Sequence, residues 1–478
     1  MSESMLAVRF CSLARLANVR PSDRVKFWRL LAKARRLYPE GTPLITRIIL
    51  VRHGESTYNA LGLIQGRCDD SQLSEKGYAQ AVQVGKALSS LKLNAVYTSP
   101  LQRARRTAEG ILSQLESPPT PQTSEGLYEV NLPEWENLNH QAVREKYPDQ
   151  YRLWHEEPHR LEMGNRFPIL DLMVQARDFW QQMLVQHPGE TVLLVGHSGI
   201  NRALISTAVG LEPDRYHALQ QSNCGISVLN VSEEGRCVIE SLNLTGHLGG
   251  SPLPKFKPNH QGPRLLLVRH GETEWNRQQR FQGQIDVPLN DTGRQQAQQA
   301  SEFLRSVKLD AAFSSPMLRP RETAEIILRH HPELSLVFLD DLMEIRHGLW
   351  EGKYEHEIEA GFPGLLQQWQ RHPEQVQMPE GENLQQVWMR ATSAWQQAVN
   401  ATGEGRTSLV VAHDAVNKAI LADLLGLKPE HFWCFKQGNG AVSVIDYPQG
   451  PAGPPLVQAL NITTYLGGVL DRTAAGAL

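Results

Sequence analysis

Arginine, histidine, glycine and glutamate occur in this order twice in the chain, each time directly after an apolar stretch. The first group is Arg52–Glu55 and the second is Arg269–Glu272. A neutral imidazole can attack phosphorus, and guanidinium groups bind phosphoryl oxygens through paired, planar hydrogen bonds. The pattern therefore indicates phosphoryl chemistry at a place where a strand ends.

Other residues suited to this chemistry recur at matching positions in the two halves. Each half has a second histidine, which is His197 or His413, and an arginine after a Ser-Pro pair, which is Arg103 or Arg319. Each half also has a matching glutamate, Glu129 or Glu344. Neighbouring positive charge disfavours protonation of an attacking histidine. A carboxyl group beside phosphate oxygens is pushed towards its protonated form, so that it can donate to a leaving alcohol and later activate water. The second histidine and the arginines would stabilise the transition-state charge.

Fixed positive charge of this kind makes a metal ion or other cofactor unnecessary, and we expect none. The alternative is a metal site formed by His53, Glu55 and His197. Arginines on both sides would repel a cation, which argues against this alternative.

The matching residues belong to a long internal repeat. The two groups lie 217 residues apart (269 − 52), and later matches keep this offset within two residues as far as Asn223 and Asn439. A repeat as long as a whole domain predicts tandem domains and not a solenoid. We predict an N-terminal extension over 1–43, domains over 44–248 and 262–470, a Pro- and Gly-containing linker over 249–261, and a tail over 471–478.

Short apolar runs alternate with longer helical patterns within each repeat. In the first repeat the predicted strands are Ile48–Val51, Asn94–Tyr97 and Val192–Val195, and the predicted helices are Gly77–Leu91 and Ile200–Val209. This alternation predicts an α/β layer fold with a mostly parallel sheet. Ligands of such sheets gather at the carboxyl ends of strands. We therefore expect His53 to meet His197, and His270 to meet His413.

Composition limits the partners of this chain of 478 residues. Its net charge of −3 indicates no nucleic-acid partner, and no apolar run approaches the ~20 residues that span a bilayer. Five cysteines without a CxxC pair favour a reducing compartment, and we expect a cytoplasmic location. Nine Arg and Lys residues before Pro43 leave open a transit peptide, and with it a plastid stroma, beside a solvated appendage. The sequence does not indicate an oligomeric state.

The Arg-His-Gly-Glu group, with Ser56 or Thr273 and then an asparagine, resembles the histidine phosphatase superfamily, which has the phosphoglycerate mutase-like fold. The resemblance extends over both repeats and implies three-layer α/β/α domains. It implies that His53 and His270 are phosphorylated transiently, with Glu129 and Glu344 as the proton donors. The phosphoryl-binding residues that it implies are Arg52, Arg103 and His197 in the first repeat and Arg269, Arg319 and His413 in the second, with Asn59 and Asn276 as further contacts.

The second repeat is closer to the pattern of active phosphatases. Its acid is followed by Arg346–Gly352 and later by the segment Pro379–Glu382, whereas the first repeat lacks the Pro-x-Gly-Glu segment and has Gly164–Pro168 near that place. The acid and the surrounding site residues are present in both. We therefore expect both repeats to bind phosphate, with catalysis better supported in the second.

Three functions are compatible with these residues. The favoured one is a metal-independent phosphomonoesterase for a small phosphorylated metabolite; the others are a cofactor-dependent phosphoglycerate mutase and a phosphate-binding scaffold. The mutases that the repeats resemble carry an extra segment between the acid and the second histidine. Here that separation is only 68 residues from Glu129 to His197 and 69 from Glu344 to His413. A site that stays open to water should hydrolyse its phosphohistidine. The two retained glutamates argue against a scaffold.

The substrate is weakly indicated by the sequence. The tandem arrangement and the segment Val411–Lys418 resemble phosphatases of photosynthetic organisms that act on the sugar-acid phosphate 2-carboxy-D-arabinitol 1-phosphate. Sugar phosphates, phosphoglycerate and phosphoserine are the alternative substrates.

Overall fold

The computed structural model describes residues 44–257 and 260–474. Within these ranges the chain divides into two compact units, unit 1 with residues 44–217 and 221–239, and unit 2 with residues 218–220 and 240–474. The predicted extension over 1–43 and the last residues of the predicted tail lie outside the described residues. The predicted domain and linker boundaries stay predictions.

Unit 1 contains a sheet in the order β3-β2-β4-β1-β5, in which β1 to β4 are parallel neighbours and β5 is antiparallel to β1. A further strand, β6, spans Cys237–Leu244 and includes the point where the units divide. The strands of the sheet are β1 Ile45–Arg52, β2 Ala95–Thr98, β3 Gln122–Thr123, β4 Thr191–Gly196 and β5 Ile226–Ser232. The helices are α1 Thr57–Leu61, α2 Glu75–Leu88, α3 Gln102–Leu112, α4 His140–Lys146, α5 Pro148–Glu156, α6 Pro168–Gln186 and α7 Ser198–Val209.

Unit 2 contains a sheet in the order β12-β11-β7-β10-β8-β9, again with a parallel part, β7-β10-β8-β9, and antiparallel neighbours beyond β7. Its strands are β7 Arg264–Arg269, β8 Ala311–Ser314, β9 Leu336–Phe338, β10 Thr407–Ala412, β11 Val442–Asp446 and β12 Leu456–Ile462. Its helices are α8 Glu274–Arg277, α9 Asp291–Leu304, α10 Leu318–Ile327, α11 Glu355–Gly361, α12 Leu365–Arg371, α13 Leu384–Thr402 and α14 Asp414–Leu424.

The central strands form the core of each unit. Every residue of β10 is buried, as is β4 from Val192 onwards. Continuous apolar sequence is typical of parallel strands that are covered on both faces. The predicted α/β fold with mostly parallel sheets is therefore confirmed, as are the predicted strands and helices of unit 1, with ends that shift by a few residues.

Strand register brings the ends of the functional strands together. In unit 1, Arg52 is paired with Gly196, and Thr98 is paired with Val195. Unit 2 repeats this register, with Arg269 opposite Ala412. The residue after each strand therefore emerges at one edge of the sheet, where the predicted histidines lie.

No helix in the ranges that the structure describes is both long and apolar enough to cross a membrane. The predicted cytoplasmic or stromal location stays a prediction.

Candidate active site

His53 and His197 meet at the carboxyl edge of the sheet in unit 1. Both are buried, and their ring centroids lie 5.1 Å apart. Nδ1 of His53 is 2.7 Å from the carbonyl oxygen of Gly54. Because a carbonyl can only accept, Nδ1 carries the proton and the lone pair is on Nε2. Asn223 donates to the carbonyl oxygens of His53 and Gly54 and so holds this turn in place.

His197 has the opposite tautomer. Its Nε2 lies 2.8 Å from Oγ of Ser99, which accepts the amide of Leu101 at 3.3 Å. This hydroxyl is buried and has no other acceptor among the described residues, so its hydrogen is directed at Nε2 and the proton of His197 is on Nδ1. This Nδ1 is buried and has no partner among the described residues, so it can donate to a phosphoryl oxygen.

Two guanidinium groups are held beside these rings by backbone carbonyls. Arg103 donates to the carbonyl oxygens of Cys68 at 2.8 Å and Gly66 at 2.9 Å, and Arg52 donates to that of Gln221 at 2.9 Å. In the described part of the chain, Nε of each arginine is buried without a partner. Burial lowers the pKa of Arg52 to about 10, which still leaves the group charged at neutral pH.

Burial and positive charge keep both imidazoles neutral. The pKa of His53 lies well below 6.5, first because the ring is desolvated and then because Arg52 and Arg103 are close. Desolvation, followed by Arg103, lowers the pKa of His197 in the same way. A neutral imidazole is the form that can attack an electrophile.

Glu129 lies against the first turn of α7, which begins immediately after His197. Its Oε1 accepts the amides of Val130 at 2.8 Å and Ile200 at 3.1 Å, and its Oε2 accepts the amide of Gly199 at 3.0 Å. The carboxylate thus takes up N–H groups that would otherwise lack a partner at the start of the helix.

Unit 2 reproduces the histidine pair. The ring centroids of His270 and His413 lie 5.2 Å apart, and Nδ1 of His270 is 2.7 Å from the carbonyl oxygen of Gly271. Nε2 of His413 is 2.9 Å from Oγ of Ser315. Here Nε of Arg319 also donates to Nε2 of His270, at 3.3 Å, which is consistent with a lone pair on that nitrogen. Desolvation and then Arg319 hold the pKa of both histidines well below 6.5.

The surroundings of the acid differ in unit 2. Glu344 is buried, and Oε1 accepts the amide of Ile345 at 3.0 Å. Desolvation, followed by the charge of Asp414, raises the pKa of Glu344 above its ordinary value. Asp414 itself lies 3.7 Å from Nη1 of Arg269 and accepts from Nζ of Lys418 at 2.7 Å. A carboxyl group in this setting is suited to donate a proton.

The two predicted asparagines have a local role in addition to any phosphate contact. Asn59 and Asn276 occupy the third helical position of α1 and α8, and each forms a capping box with the hydroxyl residue at the N-cap. Their Oδ1 atoms accept from Asn223 at 3.0 Å and Asn439 at 3.3 Å. Only Nδ2 is left to contact phosphate, and this contact stays a prediction.

The structure brings together the predicted histidines, arginines and glutamates of each unit. It also includes residues that sequence reasoning gave no role. Ser99 and Ser315 orient the second histidine, and Thr107 and Thr323 accept the amide of the glycine after the first. Their recurrence in both repeats was a signal that could have revealed them.

Comparison with known proteins identifies the family of this chain. The family model of the histidine phosphatase superfamily (branch 1) matches residues 48–245 and 265–459, and the chain belongs to this superfamily.

The 2-carboxy-D-arabinitol-1-phosphatase of Triticum aestivum is 31% identical over 444 residues, which cover 88% of this chain and 86% of that protein. A probable 2-carboxy-D-arabinitol-1-phosphatase of Arabidopsis thaliana is 28% identical and covers 88% of each. Phosphoserine phosphatase 1 of Hydrogenobacter thermophilus is 32% identical over 43% of this chain and 95% of that protein. The predicted superfamily, phosphatase class and tandem arrangement are confirmed.

Proposed function

We propose that this phosphatase hydrolyses a small phosphomonoester without a metal ion, through a phosphohistidine on His53 or His270. Nε2 attacks phosphorus, and a P–N bond forms as the ester P–O bond breaks. The glutamate, Glu129 or Glu344, gives its proton to the departing alcohol oxygen. Water then attacks phosphorus, the P–N bond breaks, and the glutamate takes up a proton from this water. Inorganic phosphate leaves, and the neutral imidazole and protonated acid are restored.

The observation that supports this proposal most directly is the tautomer of the first histidine in each unit. The carbonyl of Gly54 or Gly271 holds the proton on Nδ1, so the nucleophilic lone pair on Nε2 faces the arginines. Arg52, Arg103 and His197, or Arg269, Arg319 and His413, would bind the phosphoryl oxygens in the ground state and more strongly in the transition state. The two arginines of each unit supply the charge that a metal would otherwise provide.

A fluorogenic phosphomonoester in the presence of EDTA tests the chemistry. We expect turnover in the native chain and a loss of at least about a thousandfold in the His53→Ala/His270→Ala double variant, because no nucleophile remains. His330→Ala, which changes an exposed histidine, is the matched control and should retain full activity. Undiminished turnover in the double variant would overturn the proposal, as would failure to trap alkali-stable phosphohistidine in the native chain after rapid quenching.

The proposed substrate class is a phosphorylated sugar acid, such as 2-carboxy-D-arabinitol 1-phosphate. Two relatives named for this activity align with most of the chain, which supports the choice. Phosphate release should be compared across this compound, 3-phosphoglycerate, phosphoserine and simple sugar phosphates. We expect the highest kcat/KM for the sugar-acid phosphate. Isomerisation of 3-phosphoglycerate in the presence of its bisphosphate, without phosphate release, would favour a mutase instead.

A further inference from the structure

The first turn of the helix after the second histidine differs between the units at three residues, and the middle one of these lies beside the acid of unit 1. In α7 this residue is Gly199, and in α14 the corresponding residue is Ala415. Gly199 has helical backbone, so its conformation does not demand glycine. What it provides is space, because it lies directly beside the acid of unit 1.

A side chain at position 199 would displace that acid. A Cβ atom built on Gly199 would overlap Oε1 of Glu129 and would lie 2.6 Å from the hydroxyl oxygen of Tyr216. The absence of this atom lets Glu129 reach the amides of Gly199 and Ile200. Together with the amide of Val130, these N–H groups occupy three of the roughly four lone-pair positions of the carboxylate.

Unit 2 has the opposite arrangement. Ala415 carries the Cβ atom that unit 1 lacks, and Tyr216 is matched in sequence by Phe432, which has no hydroxyl group. In the part of the chain that the structure describes, the side chain of Glu344 accepts one hydrogen bond, from the amide of Ile345. Glu344 therefore does not bind the start of α14, and most of its lone-pair positions stay free for a proton or a substrate.

We propose that the residue at this position determines how readily the acid protonates a leaving group. Gly199 allows the helix to hold Glu129 by its oxygens, whereas Ala415 keeps Glu344 away from the helix and available as a donor. This inference rests on the proposed function. Unit 2 then cleaves alkyl phosphates, whose alcohol must receive a proton as it leaves. Unit 1 binds the same esters, but Glu129 protonates an alcohol less readily, so this unit favours esters whose leaving group departs as an anion.

Each acid also faces other charged or titratable groups, and a substitution at this position does not change which groups these are. Glu129 interacts with Arg52, Arg67, Arg103 and Tyr216. Glu344 interacts with Arg269, Arg319, Asp414 and Lys418. Because a Cβ atom at position 199 would also contact the hydroxyl group of Tyr216, it is the Ala415→Gly exchange that assigns a change in pH dependence to the helix contact alone.

The test uses chains in which only one unit is active, and it compares substrates with two kinds of leaving group. His270→Ala leaves only unit 1 active, and His53→Ala leaves only unit 2 active. For each chain, kcat/KM is measured with 4-nitrophenyl phosphate, whose leaving group needs no proton, and with the alkyl ester 3-phosphoglycerate. We expect the ratio of aryl to alkyl activity to be at least about tenfold higher for unit 1, because general acid catalysis contributes this much or more.

Giving each unit the residue that the other unit has at this position should reverse the difference in the aryl-to-alkyl ratio. Gly199→Ala in the His270→Ala chain should lower the aryl-to-alkyl ratio and move the alkaline limb of the pH profile for 3-phosphoglycerate to higher pH. Ala415→Gly in the His53→Ala chain should raise the ratio and move that limb to lower pH. Ala415→Gly only removes atoms, so it keeps the test valid if Gly199→Ala folds poorly.

Ala419→Gly in the His53→Ala chain is the matched control, since it weakens the same helix one turn further on. It should leave the ratio unchanged, because a purely structural defect slows both substrates together. An unchanged ratio after both exchanges would overturn the inference. If phosphohistidine still forms in the single-site chains, the proposed function survives that result; if none forms, the proposed function itself fails.

Discussion

At the scale of single residues, the protonation states of two imidazoles define each site. The first ring is fixed by the carbonyl of the following glycine, and the second by the hydroxyl of Ser99 or Ser315. One ring therefore presents a lone pair and the other presents an N–H to the same space. This complementary pair needs both histidines neutral, which burial and the arginines ensure.

The depressed pKa of His270 predicts that the acid limb of the pH profile of kcat/KM lies at unusually low pH. The neutral ring persists as pH falls through 6.5, so kcat/KM of the His53→Ala chain should not decline until well below that value. Arg319→Gln removes the second largest cause of this shift, so the acid limb should move to higher pH while the rate falls. Profiles of both chains with the same substrate check this, since ionisation of the substrate is common to them. A decline centred near 6.5 in both would contradict the prediction.

At the scale of elements, the loop that carries the acid is supported differently in the two units. In unit 2, Arg390 of α13 forms two hydrogen bonds of 2.8 Å with Glu382 and donates to the backbone carbonyls of Asp341, Met343 and Glu344. Glu382 belongs to the Pro-x-Gly-Glu segment that unit 1 lacks. In unit 1, Gln175 of α6 donates to the carbonyl of Tyr128 at 2.8 Å, and Arg67 donates to that of Glu129 at 2.9 Å. The segment therefore has a structural task that other residues perform in unit 1.

Loss of Arg390 should loosen the acid loop of unit 2. Arg390→Gln removes both side-chain hydrogen bonds to Glu382, which keeps the backbone amide of Arg346, and removes this donor from the carbonyls of Asp341 and Met343. We expect unit 2 to lose about 2 kcal/mol of unfolding free energy. Urea unfolding and kcat/KM of the His53→Ala chain measure the two effects. The Arg390→Gln/Glu382→Gln variant should recover part of the loss, because no partly buried carboxylate is left without its ion-pair partner. Equal stability of the native and Arg390→Gln chains would refute this role.

At the scale of the whole molecule, the duplication has preserved two complete constellations. Every residue that contributes to a site belongs to the same compact unit as the site itself. Neither constellation therefore depends on residues of the other unit for its chemistry.

Independent sites predict additive activity. With saturating 4-nitrophenyl phosphate, the kcat of the His53→Ala chain and that of the His270→Ala chain should sum to the kcat of the native chain, since the changes share no partner. A native kcat well above that sum would show that the sites assist one another and would exclude independence. His330→Ala again serves to show that histidine loss by itself has no effect.

The sequence by itself determined the α/β class and the superfamily, and it predicted the candidate reactive groups. Recurrence revealed them, because Arg52, His53 and His197 return in register as Arg269, His270 and His413. Apolar runs also located the strands, since burial on both faces of a parallel sheet demands continuous hydrophobic sequence.

Only the tertiary structure decided how these groups are used. The tautomer of each imidazole depends on carbonyl and hydroxyl groups, and the second of these comes from a different strand end. Glu129 and Glu344 are the same residue type, yet one lies on the start of a helix and the other is buried beside Asp414. Distances and protonation states arise from contacts between residues distant in sequence, and a pattern along the chain does not encode them directly.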